Sequence, residues 1–110
     1  MSVVTNLLLT HTERGGDNPL AIQKLNAWLN EAGQSSLVYV SEHIFGRKRF
    51  EATVMGTAAN YLCLWDFFDF IKSIDWGYPE TVQVFYKEQE DRTFGVWTVC
   101  DGVVLKPMGW

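Results

Sequence analysis

Apolar residues recur with two different periods along this 110-residue chain, and the two periods alternate. Ala21, Leu25, Trp28 and Leu29 follow the spacing of one helix face. Elsewhere apolar residues alternate with polar ones or form short β-branched runs, which is typical of strands. A chain of this length builds one hydrophobic core. The pattern therefore predicts a single α+β domain over residues 1–110.

The order of these segments restricts the topology further. Asn18 and Pro19 can begin the first helix and Gly33 can end it. A second helix begins at residues 64–66 and ends at 74. Strands are predicted at residues 3–10, 37–45, 49–57, 81–86, 93–99 and 103–105. The first six elements match the split β-α-β arrangement of ferredoxin-like folds, a two-layer sandwich, here with extra C-terminal strands.

The predicted strands are apolar at both odd and even positions. Val84 and Phe85 are neighbours, as are Val96 and Trp97, so each strand presents apolar side chains to both sheet faces. Two helices cover only one face. We therefore expect the second face to be covered by the C-terminal tail, by a partner or by a second copy of the chain, while the extra strands extend a sheet edge or cover that face.

The charge balance argues against a nucleic-acid-binding function. Nine Lys and Arg residues face thirteen Asp and Glu, which gives a net charge of −4, whereas phosphate binding needs a basic surface. Three of the cations, Arg47, Lys48 and Arg49, are adjacent at the predicted tip of a hairpin. We favour a solvated turn there, and contact with phosphate or an acidic protein is the alternative.

The number of cysteines indicates the cellular compartment, and the lack of cofactor-binding motifs argues against a cofactor. Cys63 and Cys100 are too few for a disulfide scaffold, and no segment has the length of a signal peptide or a membrane span. We expect a cytoplasmic protein with reduced thiols, and a buried, unreactive Cys63 between two leucines. Phosphate-binding, nucleophile-elbow and paired metal-ligand motifs are absent from the sequence, so we expect no cofactor and no metal.

Two histidines are the weak catalytic candidates. His11 and His43 each lie at the end of a predicted strand near carboxylates, which suits a general base, a metal ligand or simply an exposed loop histidine. One hypothesis is a dimeric α+β barrel, an enzyme or a small-ligand-binding protein. Its site would combine either histidine with Tyr86 and Trp97.

The second helix carries the candidate partner-binding residues. Trp65 and Phe70 fall outside its apolar face and lie among acidic residues, as interface anchors do. A solvated acidic face and ordinary core packing are the alternatives. The full candidate surface is Trp65, Asp66, Asp69, Phe70, Trp76 and Tyr78.

Of the functional classes left open, we favour a non-enzymatic protein-binding module, such as an inhibitor, an immunity-like protein or an accessory protein. Its partner is an unknown protein or a second copy of the chain. A structural or assembly subunit is the third hypothesis, since hairpin edges can accept a further strand.

Overall fold

Two helices and six strands make up the computed structural model, which describes residues 3–15, 18–41, 44, 46–47 and 51–109. A short 3-10 turn, Pro79–Thr81, follows the second helix. In chain order the elements are β1 (Val4–His11), α1 (Leu20–Glu31), β2 (Val38–Tyr39), β3 (Thr53–Asn60), α2 (Leu64–Ser73), β4 (Gln83–Glu88), β5 (Gly95–Thr98) and β6 (Gly102–Leu105).

All six strands belong to one sheet, in the order β2-β3-β1-β4-β5-β6, and every neighbouring pair is antiparallel. Leu8 in the central strand pairs with Gly56 on one side and with Phe85 on the other. The predicted α+β class is confirmed. β5 pairs with β4 and extends the sheet. β6 extends it further, because the tight turn at Gly102, with φ of 69°, returns the chain beside β5.

Both helices pack on the same face of the sheet. Alternate residues of β1, including Leu7 and Leu9, are buried on that face, as the period of a strand requires. Leu25 of α1 and Phe67 of α2 belong to the same core cluster.

Of the predicted α1 face, Ala21, Leu25 and Leu29 are buried. Trp28 is half-buried, and Ile22, which lies outside the predicted face, is fully buried. The N-cap of α1, however, is Pro19, and no side chain caps it, so Asn18 does not have the capping role.

The other sheet face carries fewer buried side chains. Leu8, Phe85 and Val96 point to it and are half-buried, whereas their neighbours Tyr86 and Trp97 point to the helices and are buried. Pro107 of the tail does not lie across this face. Pro107 instead approaches Gly95 from the side on which Tyr86 also lies.

The predicted hairpin between residues 37–45 and 49–57 is shorter than expected where it is described. Val38 pairs with Gly56, and the Val40 N–H donates to the Val54 carbonyl at 2.8 Å. Arg47 is exposed. The other predicted residues of the tip, Lys48 and Arg49, lie outside the described residues, as does His43. Among the described residues, no helix combines the length and the apolar character needed to cross a membrane.

Candidate binding groove

A groove of about 490 Å³ lies between the N-terminal end of α2, the end of β4 and the C-terminal tail. Most of the side chains that line it are aromatic or aliphatic. They are Leu62, Cys63, Leu64, Trp65, Phe68, Tyr86, Glu88, Asp91, Val103, Lys106 and Pro107. Its size and apolar lining are typical of ligand-binding clefts.

Phe68 and Tyr86 form the wall of the groove that faces the core, and Trp97 supports this wall by packing against Phe68. Phe68 stacks on Trp97, with ring centroids 4.7 Å apart and planes 4° apart, and meets Tyr86 edge-on at 5.3 Å. All three rings are buried, so this wall is held by packing on several sides.

Trp65 is the exposed member of this aromatic group. Its ring meets Phe68 edge-on at 6.1 Å, yet 69% of the residue surface remains accessible. The helical period explains this position, because Phe67, Phe68 and Ile71 occupy the core-facing side of α2 and Trp65 falls beside it. A large exposed aromatic side chain at the rim of an apolar groove is a feature of binding surfaces.

The tail forms the opposite wall and is tied to the β4–β5 connection. The Met108 N–H donates to Thr93 Oγ1 at 2.7 Å, and the Arg92 N–H donates to the Met108 carbonyl. These bonds hold Pro107 close to Gly95. A Cβ at position 95 would lie 2.6 Å from Tyr86 Cζ and 2.7 Å from Pro107 Cδ, so this approach of the two walls requires glycine.

Acidic side chains outnumber basic ones around the groove. Glu88 and Asp91 line it together with a single cation, Lys106. Burial raises the pKa of Tyr86, and the negative charges of Asp91 and Glu88 raise it further. The two carboxylates therefore make the electrostatic potential at the Tyr86 hydroxyl, in the core-facing wall of the groove, more negative.

The structure separates the residues that the sequence grouped on α2. Trp65 borders the groove, and Asp66 and Asp69 are exposed on the same helix. Phe70 is half-buried and stacks on Trp28 of α1, with centroids 5.3 Å apart, so it closes the seam between the helices.

The other two candidates lie beyond the opposite end of α2. Trp76 is placed in the core rather than on a surface, since it is 6% exposed and its Nε1–H donates to the Ile71 carbonyl at 2.9 Å. Tyr78 is partly exposed next to Glu13.

Sequence reasoning missed most of the groove. The expectation of a buried Cys63 is wrong, because this residue is exposed at the N-cap of α2 and lines the groove. Both cysteines are free. Glu88 and Asp91 belong to an acidic loop for which the sequence allows a solvated hairpin end or an electrostatic contact with a basic partner. Val103 and Lys106 carried no local signal of a site, because only the pairing of β4, β5 and β6 brings them near α2.

His11 is a core residue rather than an exposed base. It is fully buried, its Nδ1 accepts the Glu13 N–H at 3.0 Å, and its ring lies 6.4 Å from that of Trp76. Nε2 has no hydrogen-bond partner among the described residues. Burial lowers the pKa of His11, and the nearby Glu13 opposes this shift only in part.

The barrel hypothesis placed His11 with Tyr86 and Trp97 in a cavity between two sheets. All three side chains point to the helix-covered face instead. That site is therefore corrected, because a cavity between two open sheet faces would be lined by the opposite side of each strand.

The lowered pKa of His11 predicts a loss of stability in mild acid. The unfolded chain binds a proton near the ordinary pKa of 6.5, whereas the folded chain binds it only at lower pH. Stability is therefore fully present above pH 6.5 and falls as the pH decreases through the folded-state pKa. Urea unfolding at about pH 7.5 and about pH 5 measures this loss.

The control for this measurement is His11→Leu, which removes the titrating ring. The free energy of unfolding of the variant minus that of the wild type is expected to increase as the pH falls. A constant difference across this interval would show that His11 does not cause the acid sensitivity.

Comparisons with known proteins return no match, whether with protein-family models, curated proteins or solved structures. Among the described residues, no group of three or more His, Cys, Asp or Glu side chains is arranged to hold a metal ion.

Proposed function

We propose that this chain is a non-enzymatic protein-binding module, and that it binds its partner in the groove beside Trp65. The observation that carries this proposal is the combination of an exposed indole with a preformed apolar groove. A partner side chain entering the groove would lose its contact with water against rings that are already fixed. Binding therefore costs the groove little conformational entropy.

The charged groups near the groove also support a protein as the binding partner. Glu88 and Asp91 line the groove beside its apolar residues, and Asp66 and Asp69 are exposed on the helix that carries Trp65. An apolar centre with a polar rim is the usual anatomy of protein interfaces. A structural or assembly role would use the same groove and would differ only in the identity of the partner.

Selection of peptides from a random library tests this function and does not require an identified partner. Random peptides displayed on phage are selected on the wild-type protein, and their affinities are then measured by calorimetry. Trp65→Ala is expected to weaken binding by about tenfold or more, as truncation of an aromatic interface anchor does. Tyr78→Ala, at the other end of α2, is the matched control and should leave affinity unchanged.

The two cysteines locate the bound peptide independently. Cys63 lines the groove and Cys100 does not, and both are exposed. A peptide in the groove should slow the reaction of Cys63 with N-ethylmaleimide and leave that of Cys100 unchanged. Equal affinity for the Trp65→Ala variant, or unchanged Cys63 reactivity, would contradict the proposed function.

We propose further that the first six elements adopt a ferredoxin-like arrangement, extended at one edge by β5 and β6. The order β2-β3-β1-β4, with both helices on one face, supports this topology. A cytoplasmic location is also proposed, on the support of two free thiols.

A further inference from the structure

The groove combines two features that select different parts of a ligand. Its core-facing wall is aromatic, with Phe68 and Tyr86 buried and Trp65 exposed at the rim. Its charged lining consists of two carboxylates and one ammonium group, from Glu88, Asp91 and Lys106. An apolar side chain suits the wall, whereas a cation suits the carboxylates.

We infer that the groove binds a protein segment in which an arginine lies next to an apolar residue. The apolar side chain packs against the aromatic wall. The guanidinium group pairs with the Glu88 carboxylate and stacks on the exposed Trp65 ring. This inference rests on the proposed function, for which it names the chemistry of the partner.

The choice of arginine follows from the neighbouring groups. A guanidinium is planar, stacks on aromatic faces and donates two parallel hydrogen bonds to one carboxylate, whereas an ammonium group is a strongly hydrated point charge. Tryptophan is the most favourable aromatic side chain for a cation, and the groove lining includes a tryptophan together with two carboxylates.

Asp91 has a structural role as well as its charge. One of its carboxylate oxygens, Oδ2, accepts the Glu88 N–H at 3.0 Å and so fixes the turn after β4. The charge of Asp91 still contributes to the potential in the groove, since it is one of the groups that raise the pKa of Tyr86. Glu88 is therefore the better residue to substitute.

Lys106 provides a test with the opposite sign. It lines the same groove, and its charge repels an arginine and attracts a glutamate. If the ligand's cation lies in the groove, removing the Lys106 charge must strengthen its binding. A cation bound elsewhere on the acidic surface would respond much less to this substitution.

Four capped heptapeptides serve as probes. Three have a central leucine flanked by arginines, serines or glutamates, and the fourth keeps the arginines but has a central serine. Affinities are measured by calorimetry, and binding to the groove is monitored by backbone amide chemical shifts. We expect the arginine–leucine peptide to bind most tightly and the glutamate peptide least, with the difference reduced as salt increases to about 0.15 M.

Three variants then test the assigned charges. Glu88→Gln should weaken the arginine–leucine peptide by about twofold to fivefold, the range of partly exposed ion pairs. Lys106→Gln should strengthen binding of the same peptide. It should change the affinity of the serine-flanked peptide much less. Glu80→Gln is the matched control, because Glu80 is exposed and precedes β4, whereas Glu88 ends that strand.

The outcomes separate the two proposals. Equal binding of the three leucine peptides in the groove would overturn the arginine inference and leave the proposed function standing. Binding of the arginine–serine peptide as tightly as the arginine–leucine peptide would overturn the role of the apolar wall. Absence of groove shifts with every probe and every selected peptide would overturn both proposals.

Discussion

Phe68→Ala is expected to lower the free energy of unfolding by about 3–5 kcal/mol, the usual cost of deleting a buried phenylalanine ring. Only 3% of the surface of Phe68 is accessible, and its ring contacts those of Trp65, Tyr86 and Trp97. Its removal leaves a cavity between α2 and the sheet. Urea unfolding at neutral pH measures the loss.

Trp65→Ala is the matched control for this substitution, because it removes a larger ring from the same helix. Since Trp65 is 69% exposed, the loss of stability should stay within about 1 kcal/mol. Similar losses for the two variants would show that Trp65 is part of the core and would remove it from the proposed binding surface.

The contrast between Trp65 and Phe70 shows the limit of sequence reasoning on this helix. Both residues fall outside the main apolar face of α2, so the helical period gives them the same prediction. The structure distinguishes them because Trp28 of α1 stacks on Phe70, whereas Trp65 borders the groove that the tail also lines. That difference depends on how the two helices pack, which is not encoded in either segment alone.

Local patterns predicted both helices and the order of the elements, although β3 lies at Thr53–Asn60 rather than at 49–57. The core positions of α1 follow one helical period, and Gly33, with φ of 80°, ends that helix as expected. The groove could not be predicted in the same way, because it joins α2, the end of β4 and the tail across the antiparallel pairing of β4, β5 and β6. The expectation of a buried Cys63 is wrong for a related reason. Flanking leucines do not reveal that α2 begins directly after this residue.

Glu13→Ala is the second substitution with a large expected effect. The Glu13 carboxylate accepts two backbone N–H groups, from Gly77 to Oε1 and from Tyr78 to Oε2, each at 2.6 Å. Hydrogen bonds to a charged acceptor contribute about 1.5–3 kcal/mol each. Because Glu13 is only half-buried and both hydrogen bonds are exposed to solvent, we discount these values and expect a total loss of about 2–3 kcal/mol.

Neighbouring contacts explain why this carboxylate affects more than one turn. The Thr12 N–H donates to Thr81 Oγ1 at 3.2 Å, and the Glu13 N–H donates to His11 Nδ1. Together these bonds connect the end of β1 to the chain between α2 and β4. Position 77 suits glycine here, because a Cβ would lie 3.3 Å from Glu13 Oε1.

Urea unfolding of Glu13→Ala, Glu13→Gln and Glu80→Ala separates the hydrogen bonds from the charge. Glu13→Gln keeps one carbonyl acceptor and should lose less stability than Glu13→Ala. Glu80→Ala removes an exposed carboxylate and should change stability by about 0.5 kcal/mol or less. Hydrogen exchange gives the local measurement, because the amides of Gly77 and Tyr78 should exchange faster only in the Glu13 variants. If the Glu80 variant lost as much stability as Glu13→Ala, the removal of one negative charge would explain the effect. The two hydrogen bonds to Glu13 would then not be its cause.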